Sequence, residues 1–203
     1  MRHQCLIIYD LAGNVKTMNY PSGRTVNYGY DQAGRLSTFT GNLGDSQLRT
    51  YSTIAQYHPA GMVERGTFGT QTPLHHKKRY NNRLQLGDLR LSTGSDALSY
   101  DRGALLFLHG LNAVANSDPL ANDPTNNGNL LKQLHYVPLA GGGEVVTQAD
   151  TYTYDALKRI SSVVEPNVFS QTYGYDRWGN RQITGATGGL KLFCDQLSVC
   201  KGI

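Results

Sequence analysis

Val26-Asn27-Tyr28-Gly29-Tyr30-Asp31-Gln32-Ala33-Gly34-Arg35-Leu36 decides how this chain is read. Up to Tyr30 large residues alternate with small or polar ones, the period of a strand whose faces differ. Asp31 can accept a hydrogen bond from the backbone two residues on, and Gly34 supplies the positive φ that closes a tight reversal. Leu36 then opens a run of β-formers, Ser37-Thr38-Phe39-Thr40. The stretch reads as strand, turn, strand.

The same stretch recurs. Tyr-Asp occurs at Tyr9-Asp10, Tyr30-Asp31, Tyr100-Asp101, Tyr154-Asp155 and Tyr175-Asp176. With 13 Tyr and 12 Asp in 203 residues, random placement supplies roughly 0.8 such pairs. Three of the five extend to a glycine three residues past the Asp, at Gly13, Gly34 and Gly179. Two intervals, Tyr9 to Tyr30 and Tyr154 to Tyr175, have the same length of 21 residues. Two residues before each repeat Tyr stands an apolar or aromatic residue (Ile7, Tyr28, Tyr152, Tyr173), on the same strand face.

The fold expected is all-β: antiparallel hairpins about 21 residues apart, joined in one continuous, twisted sheet. A hairpin alone cannot bury its face, so each unit needs its neighbours. The rings of the repeat are expected to form the core stripe. Structural positions are Tyr9, Asp10, Gly13, Tyr30, Asp31, Gly34, Tyr57, Gly61, Tyr154, Asp155, Tyr175, Asp176 and Gly179. Tyr57 to Gly61 is a weaker copy with His58 in place of Asp, and in the Tyr154 copy Lys158 replaces the glycine, so that turn is expected to close differently. Tyr80-Asn81-Asn82-Arg83-Leu84 reads as a shortened turn, and Asn126-Asn127-Gly128-Asn129-Leu130 as a turn and exit without the Tyr. The organisation expected is hairpins over 1–103, a looped insertion over 104–122, hairpins again over 123–184, and a tail at 185–203 that matches no repeat.

Composition narrows the classes. Gly and Pro together number 23 + 7 = 30, roughly 15%, below the level of a low-complexity chain. The net charge of +4 gives no ground for a nucleic-acid or membrane partner. The longest apolar run, Ala104 to Leu108, falls far short of a membrane span, and Leu6-Ile7-Ile8 is too short for the core of a secretory signal. Cys5, Cys194 and Cys200 fit neither a disulfide framework nor a zinc spacing; free thiols are the default, with a Cys194–Cys200 bridge left open.

These repeats resemble the YD-repeat, or RHS-repeat, family of large bacterial and animal surface proteins. The residues that carry the likeness are Tyr9 to Asn14, Tyr30 to Leu36, Tyr152 to Ile160 and Tyr173 to Arg181. The resemblance implies a hairpin array spiralling into a hollow shell, as in polymorphic toxins, the cocoon of toxin-complex proteins and teneurin receptors. It implies a non-catalytic structural segment that scaffolds or encloses a toxin or other cargo, secreted or at the cell surface. The partners implied are the remainder of a longer chain of this type or an enclosed effector, with no nucleic acid. The chain is expected to be one piece of such an array. Asp118-Pro119-Leu120-Ala121, the string nearest to a self-cleaving core-end signature, lacks its glycine and lies mid-chain.

Other chemistry finds little support. Phe107-Leu108-His109-Gly110 resembles an oxyanion-hole string, but no G-x-S-x-G nucleophile elbow accompanies it. Asp123 to Asn129 has a single carboxylate and Leu134 where a calcium loop needs Glu. Gly141-Gly142-Gly143 lacks the Lys and Ser/Thr of a phosphate cradle and reads as a hairpin connection. His75-His76-Lys77-Lys78-Arg79, the densest basic run, reads as a solvated loop before a strand. No cofactor, metal or catalytic residue is expected. The alternative function is a carbohydrate- or cell-surface-binding module using exposed Tyr and Trp faces; Trp178, set inside a turn, is its first contact candidate.

Overall fold

A computed structural model describes residues 4–139 and 145–188. Fourteen strands pair in one sheet, each antiparallel to the next in chain order, so the whole array is a meander. The strands are β1 (Leu6–Tyr9), β2 (Val15–Asn19), β3 (Thr25–Tyr30), β4 (Leu36–Asn42), β5 (Arg49–Tyr57), β6 (Val63–Phe68) and β7 (Leu74–Tyr80). They continue as β8 (Leu86–Ser92), β9 (Ala104–Leu108), β10 (Lys132–Pro138), β11 (Val145–Tyr154), β12 (Ile160–Glu165), β13 (Phe169–Tyr175) and β14 (Arg181–Gly188). One short helix, α1 (Leu111–Asn116), lies between β9 and β10.

Every Tyr-Asp turn of the repeat joins an odd strand to the following even one, so these turns share one end of the sheet. Each closes in the same way. The Asp31 N–H donates to the Arg35 carbonyl at 2.8 Å, and the Gly34 N–H donates to the Asp31 carbonyl at 3.0 Å. That is a type I turn followed by a left-handed residue, and the pairing slips by one residue beside it. Gly34 has φ 74° and open space where a Cβ would stand, so backbone conformation rather than room selects glycine there.

Two of the weaker copies are full copies. Asn81 and Leu84 exchange the same bonds as Asp31 and Gly34, with Leu84 at φ 61°. The turn is not shortened: counted from Tyr80 its spacing equals that from Tyr30. Lys158, at φ 64°, donates its N–H to the Asp155 carbonyl at 3.0 Å. Thus the Tyr154 copy closes like the others and bears the strain of a side chain in left-handed backbone. Tyr100-Asp101, by contrast, lies outside the repeat, in the β8–β9 connection at the opposite end of the sheet.

Three further expectations need correction. Ala104–Leu108 is not the start of a looped insertion but strand β9, with Leu106 and Leu108 buried. The non-repeat segment begins after Leu108, contains α1, and ends where the Leu131 N–H rejoins the Leu108 carbonyl at 2.9 Å. His75 to Arg79 is not a solvated loop but most of β7, with His76 and Lys77 buried.

The third correction concerns the core. Ala104, Leu106, Leu108 and Leu134 pack with Ala113 of α1. Leu106 is cross-strand from Asp88, and Asp88 from Arg79, so these three share a face. Tyr80, next along the strand, points to the other side. The main buried cluster therefore lies opposite the tyrosine face, because the segment between β9 and β10 folds over that side and covers it. On the tyrosine face the rings are half-buried, packing against each other as Tyr28 does against Phe39 (centroids 5.1 Å apart).

The covering segment is pinned by polar contacts. Asp123 accepts the Ala113 N–H at 2.9 Å and the Thr125 N–H at 2.8 Å, while Thr125 Oγ1 accepts the Leu111 N–H at 2.7 Å. These side chains satisfy N–H groups at the start of α1 that have no acceptor within the helix. Gly110 has φ 125°, a backbone conformation that a side chain rarely adopts, and a Cβ there would also press on the Asp123 carboxylate. Asn126 Nδ2 reaches Gln85 Oε1 at 2.6 Å and ties the segment to the β7–β8 turn.

Candidate functional site

The repeat residues assemble a seam along the turn end of the sheet. In each Asp turn one carboxylate oxygen serves two backbone N–H groups: Asp31 Oδ1 accepts from Ala33 and Arg35, both at 2.9 Å. The second oxygen takes the side chain that follows the left-handed residue. This is Asn14 for Asp10, Arg35 for Asp31, Arg159 for Asp155 and Asn180 for Asp176. Hydrogen bonding holds all four carboxyls below their ordinary range; backbone N–H donors lead for Asp10, Asp31 and Asp155, and the Asn180 side chain for Asp176.

Each turn is then tied to the next by tyrosine. The hydroxyl of Tyr30 donates to the carbonyl of Val15 at 2.8 Å, and that of Tyr57 to Leu36 at 2.5 Å. Tyr80 donates to Val63 at 3.0 Å, Tyr154 to Leu130 at 2.7 Å, and Tyr175 to Ile160 at 2.8 Å. Every acceptor is the residue that leaves the preceding turn. Between Tyr80 and Tyr154 the series is kept by His109, whose Nε2 lies 3.4 Å from the Leu86 carbonyl. Arginine adds to two of these joints: Arg35 stands over the Tyr57 ring at 4.4 Å and Arg159 over Tyr175 at 4.1 Å. Tyr9 is 56% exposed, and its hydroxyl finds no carbonyl among the described residues.

His109 was not legible as a repeat position, since the turn behind it is replaced by the α1 segment. Leu130, by contrast, holds the exit position expected from Asn126 to Leu130. Gly61 has φ 93° in the His58 turn, and Gly13 and Gly179 have φ 85° and 87°. Trp178 is 74% exposed, with the Arg177 guanidinium 4.4 Å from its ring centroid.

Charged groupings also lie off the seam. Asp88, 1% exposed, accepts from Arg79 Nε at 2.9 Å and Arg90 Nε at 2.8 Å. His135 Nε2 and the Tyr152 hydroxyl meet at Asp150 Oδ2, at 3.1 and 3.4 Å. Burial, with the Asp150 charge, pushes the Tyr152 hydroxyl up to about 12. A cleft of about 310 Å³ beside His135 is walled by Leu89, Leu91, Leu105 and Val137, and another of about 440 Å³ lies between α1 and Tyr154. No cluster of three or more His, Cys, Asp or Glu able to hold a metal occurs among the described residues. No helix among them is long and apolar enough to cross a membrane. Gly141 to Gly143, Cys194 and Cys200 lie outside the described residues.

The family model that matches the chain is the RHS repeat, over residues 9–45, the span of the first two Asp turns. No curated protein matches the sequence. Among solved structures, the sheet is similar to a chain in the Photorhabdus luminescens Tc holotoxin pore carrying a TccC3 mutation. Identity is 20% and the TM-score 0.65, over 87% of this chain and 8% of that one. It is also similar to a chain in the crystal structure of TcdB2-TccC3-Cdc42, with 18% identity, a TM-score of 0.66 and coverage of 92% and 10%. At these identities the likeness is one of fold, and this chain spans about a tenth of either neighbour.

Proposed function

Because residues 9–45 carry an RHS repeat within a sheet whose fold recurs in Tc toxin chains, we propose that this chain is a non-catalytic wall segment of an RHS shell. Its role is to scaffold or enclose a toxin or other cargo, in a secreted or surface-associated assembly. The partners are further repeats of the same kind and the cargo they enclose. The observation that carries this reading is the series of hydroxyl-to-carbonyl ties, which joins successive hairpins at the same position in each. Such a seam extends by adding identical units, as a wall requires. Asp carboxylates and Tyr hydroxyls that would otherwise be candidates for chemistry are spent on backbone groups.

The carbohydrate-contact alternative has less to draw on. The five hydroxyls committed to carbonyls cannot read a sugar, which leaves exposed Trp178 and Tyr9 as its main features.

Protease protection tests the proposal. In the polypeptide that naturally carries this segment, sequence outside the repeats should resist proteinase K while the sheet is intact. It should become sensitive when Tyr57→Phe and Tyr175→Phe are combined. Equal digestion in both forms would remove the enclosing role, and turnover of ester, phosphodiester or peptide substrates by the purified chain would remove the non-catalytic one.

A further inference from the structure

Lys77 lies in β7 with 3% of its surface exposed, and among the described residues no carboxylate is within ion-pair distance of it. Its cross-strand neighbours on both sides are cations, Arg65 on β6 and Arg90 on β8. A buried ammonium between two guanidinium groups needs compensation. Oxygen atoms provide it: Nζ donates to Ser92 Oγ at 2.6 Å, to the Gly94 carbonyl at 2.8 Å and to the Ser99 carbonyl at 3.2 Å, and it also meets Ser99 Oγ. All four acceptors belong to the end of β8 and the connection that leads to β9.

That connection is arranged around the ammonium. Asp101 closes its base, accepting from the Thr93 N–H and hydroxyl at 2.7 Å each. Ser92 Oγ and Ser99 Oγ lie 2.7 Å apart, on the same charge. The Asp96 and Asp101 carboxylates supply a favourable field without direct contact. Directly beyond it, the Leu91 N–H donates to the Gly103 carbonyl and the Arg102 N–H to the Leu91 carbonyl, both at 3.0 Å, and β9 begins with buried Ala104.

We propose that residues 92–103 form an oxygen cage selective for a single primary ammonium group, which the chain itself supplies through Lys77, and that the β8–β9 connection is ordered by that group. The ligand class is thus a primary ammonium ion; in Lys77→Ala the emptied cage takes one from solution.

Trypsin cleavage after Arg102, followed by mass spectrometry on the full chain, tests this. Local opening controls cleavage at an ordered site. Lys77→Met, which keeps length but not charge, should raise the rate at Arg102 about tenfold while cleavage at distant Arg35 is unchanged. For Lys77→Ala, methylammonium chloride should restore protection and tetramethylammonium chloride, which has no N–H donor, should not. Should Lys77→Met unfold the chain, Ser99→Ala keeps the charge, removes one acceptor, and should still speed cleavage at Arg102 selectively. The proposal is overturned if Lys77→Met stays within about twofold of the native rate, if both salts act alike on Lys77→Ala, or if Ser99→Ala leaves Arg102 as protected as before.

Discussion

The Tyr30 hydroxyl donates to the Val15 carbonyl across 15 residues of chain, and the same bond recurs at Tyr57, Tyr80, Tyr154 and Tyr175. It explains why the repeat requires tyrosine rather than any aromatic residue. A ring alone would fill the sheet face, but a phenol also reaches the carbonyl at Val15 or Ile160, which lies beyond the last residue pair between that strand and the next hairpin. Removing the oxygen from one joint leaves that carbonyl unpaired. Tyr175→Phe should lower stability by about 0.5–1.5 kcal/mol, read as a fall in urea midpoint at unchanged slope. Tyr9→Phe, at a hydroxyl without such a partner, should leave the midpoint where it is. Equal losses at both positions would show that the hydroxyl bond is not what the repeat preserves.

Left-handed backbone gives a prediction with two signs. Gly34 has φ 74° and no neighbour within 4 Å of an added Cβ. Gly34→Val should therefore cost about 1–3 kcal/mol through strain alone. Lys158 already bears that strain at φ 64°, and Lys158→Gly should stabilise by about 1 kcal/mol. Urea melts of the two variants should move in opposite directions; a loss in Lys158→Gly would mean that the lysine side chain contributes more than its backbone costs.

Much of this architecture was legible because the repeat is a local device. Tyr, Asp and Gly at fixed offsets define a turn by short-range geometry, and regular turns imply a meander. What was not legible depends on contacts between distant residues. Leu84 and Lys158 hold a glycine conformation that no propensity predicts; only the spacing from Tyr80 and Tyr154 could have revealed it. His75 to Arg79 reads as solvated by composition, yet Lys77 is buried because Ser92, Gly94 and Ser99 come round to meet it. The core lay on the unexpected face for the same reason. Nothing in Ala104 to Leu108 announces which side α1 will cover, since that is decided by Asp123, Asn126 and Gln85.

Acid should loosen the seam from its turns. Asp10, Asp31, Asp155 and Asp176 are hydrogen-bonded as carboxylates, so their folded pKa values lie below the unfolded ones. The stability they contribute is present above the unfolded carboxyl pKa of about 3.9 and is lost as pH falls through the folded values. Thermal melts should hold a constant midpoint from neutral pH to about 5 and decline below about 4. Asp31→Asn combined with Asp155→Asn should flatten that decline. A midpoint that instead improves on acidification would show the turn carboxylates to be a net repulsive set.

Asp88 should be the least tolerant carboxylate among the described residues. It is almost wholly buried, and both guanidinium groups that approach it, Arg79 and Arg90, come from neighbouring positions on its own face. Asp88→Asn keeps the shape and removes the charge, leaving Arg79 and Arg90 beside Lys77 without the carboxylate that both contact. Breaking a buried pair from one side costs about 3–5 kcal/mol, well above the loss expected at a tyrosine joint. Replacing Asp88 and Arg90 together by Asn and Gln should recover part of it, because the surviving Arg79 is one-third exposed and can turn to water. Urea melts of the single and double variants decide the matter: additive losses would mean that Asp88 acts through packing, and partial recovery that it acts by neutralising Arg90.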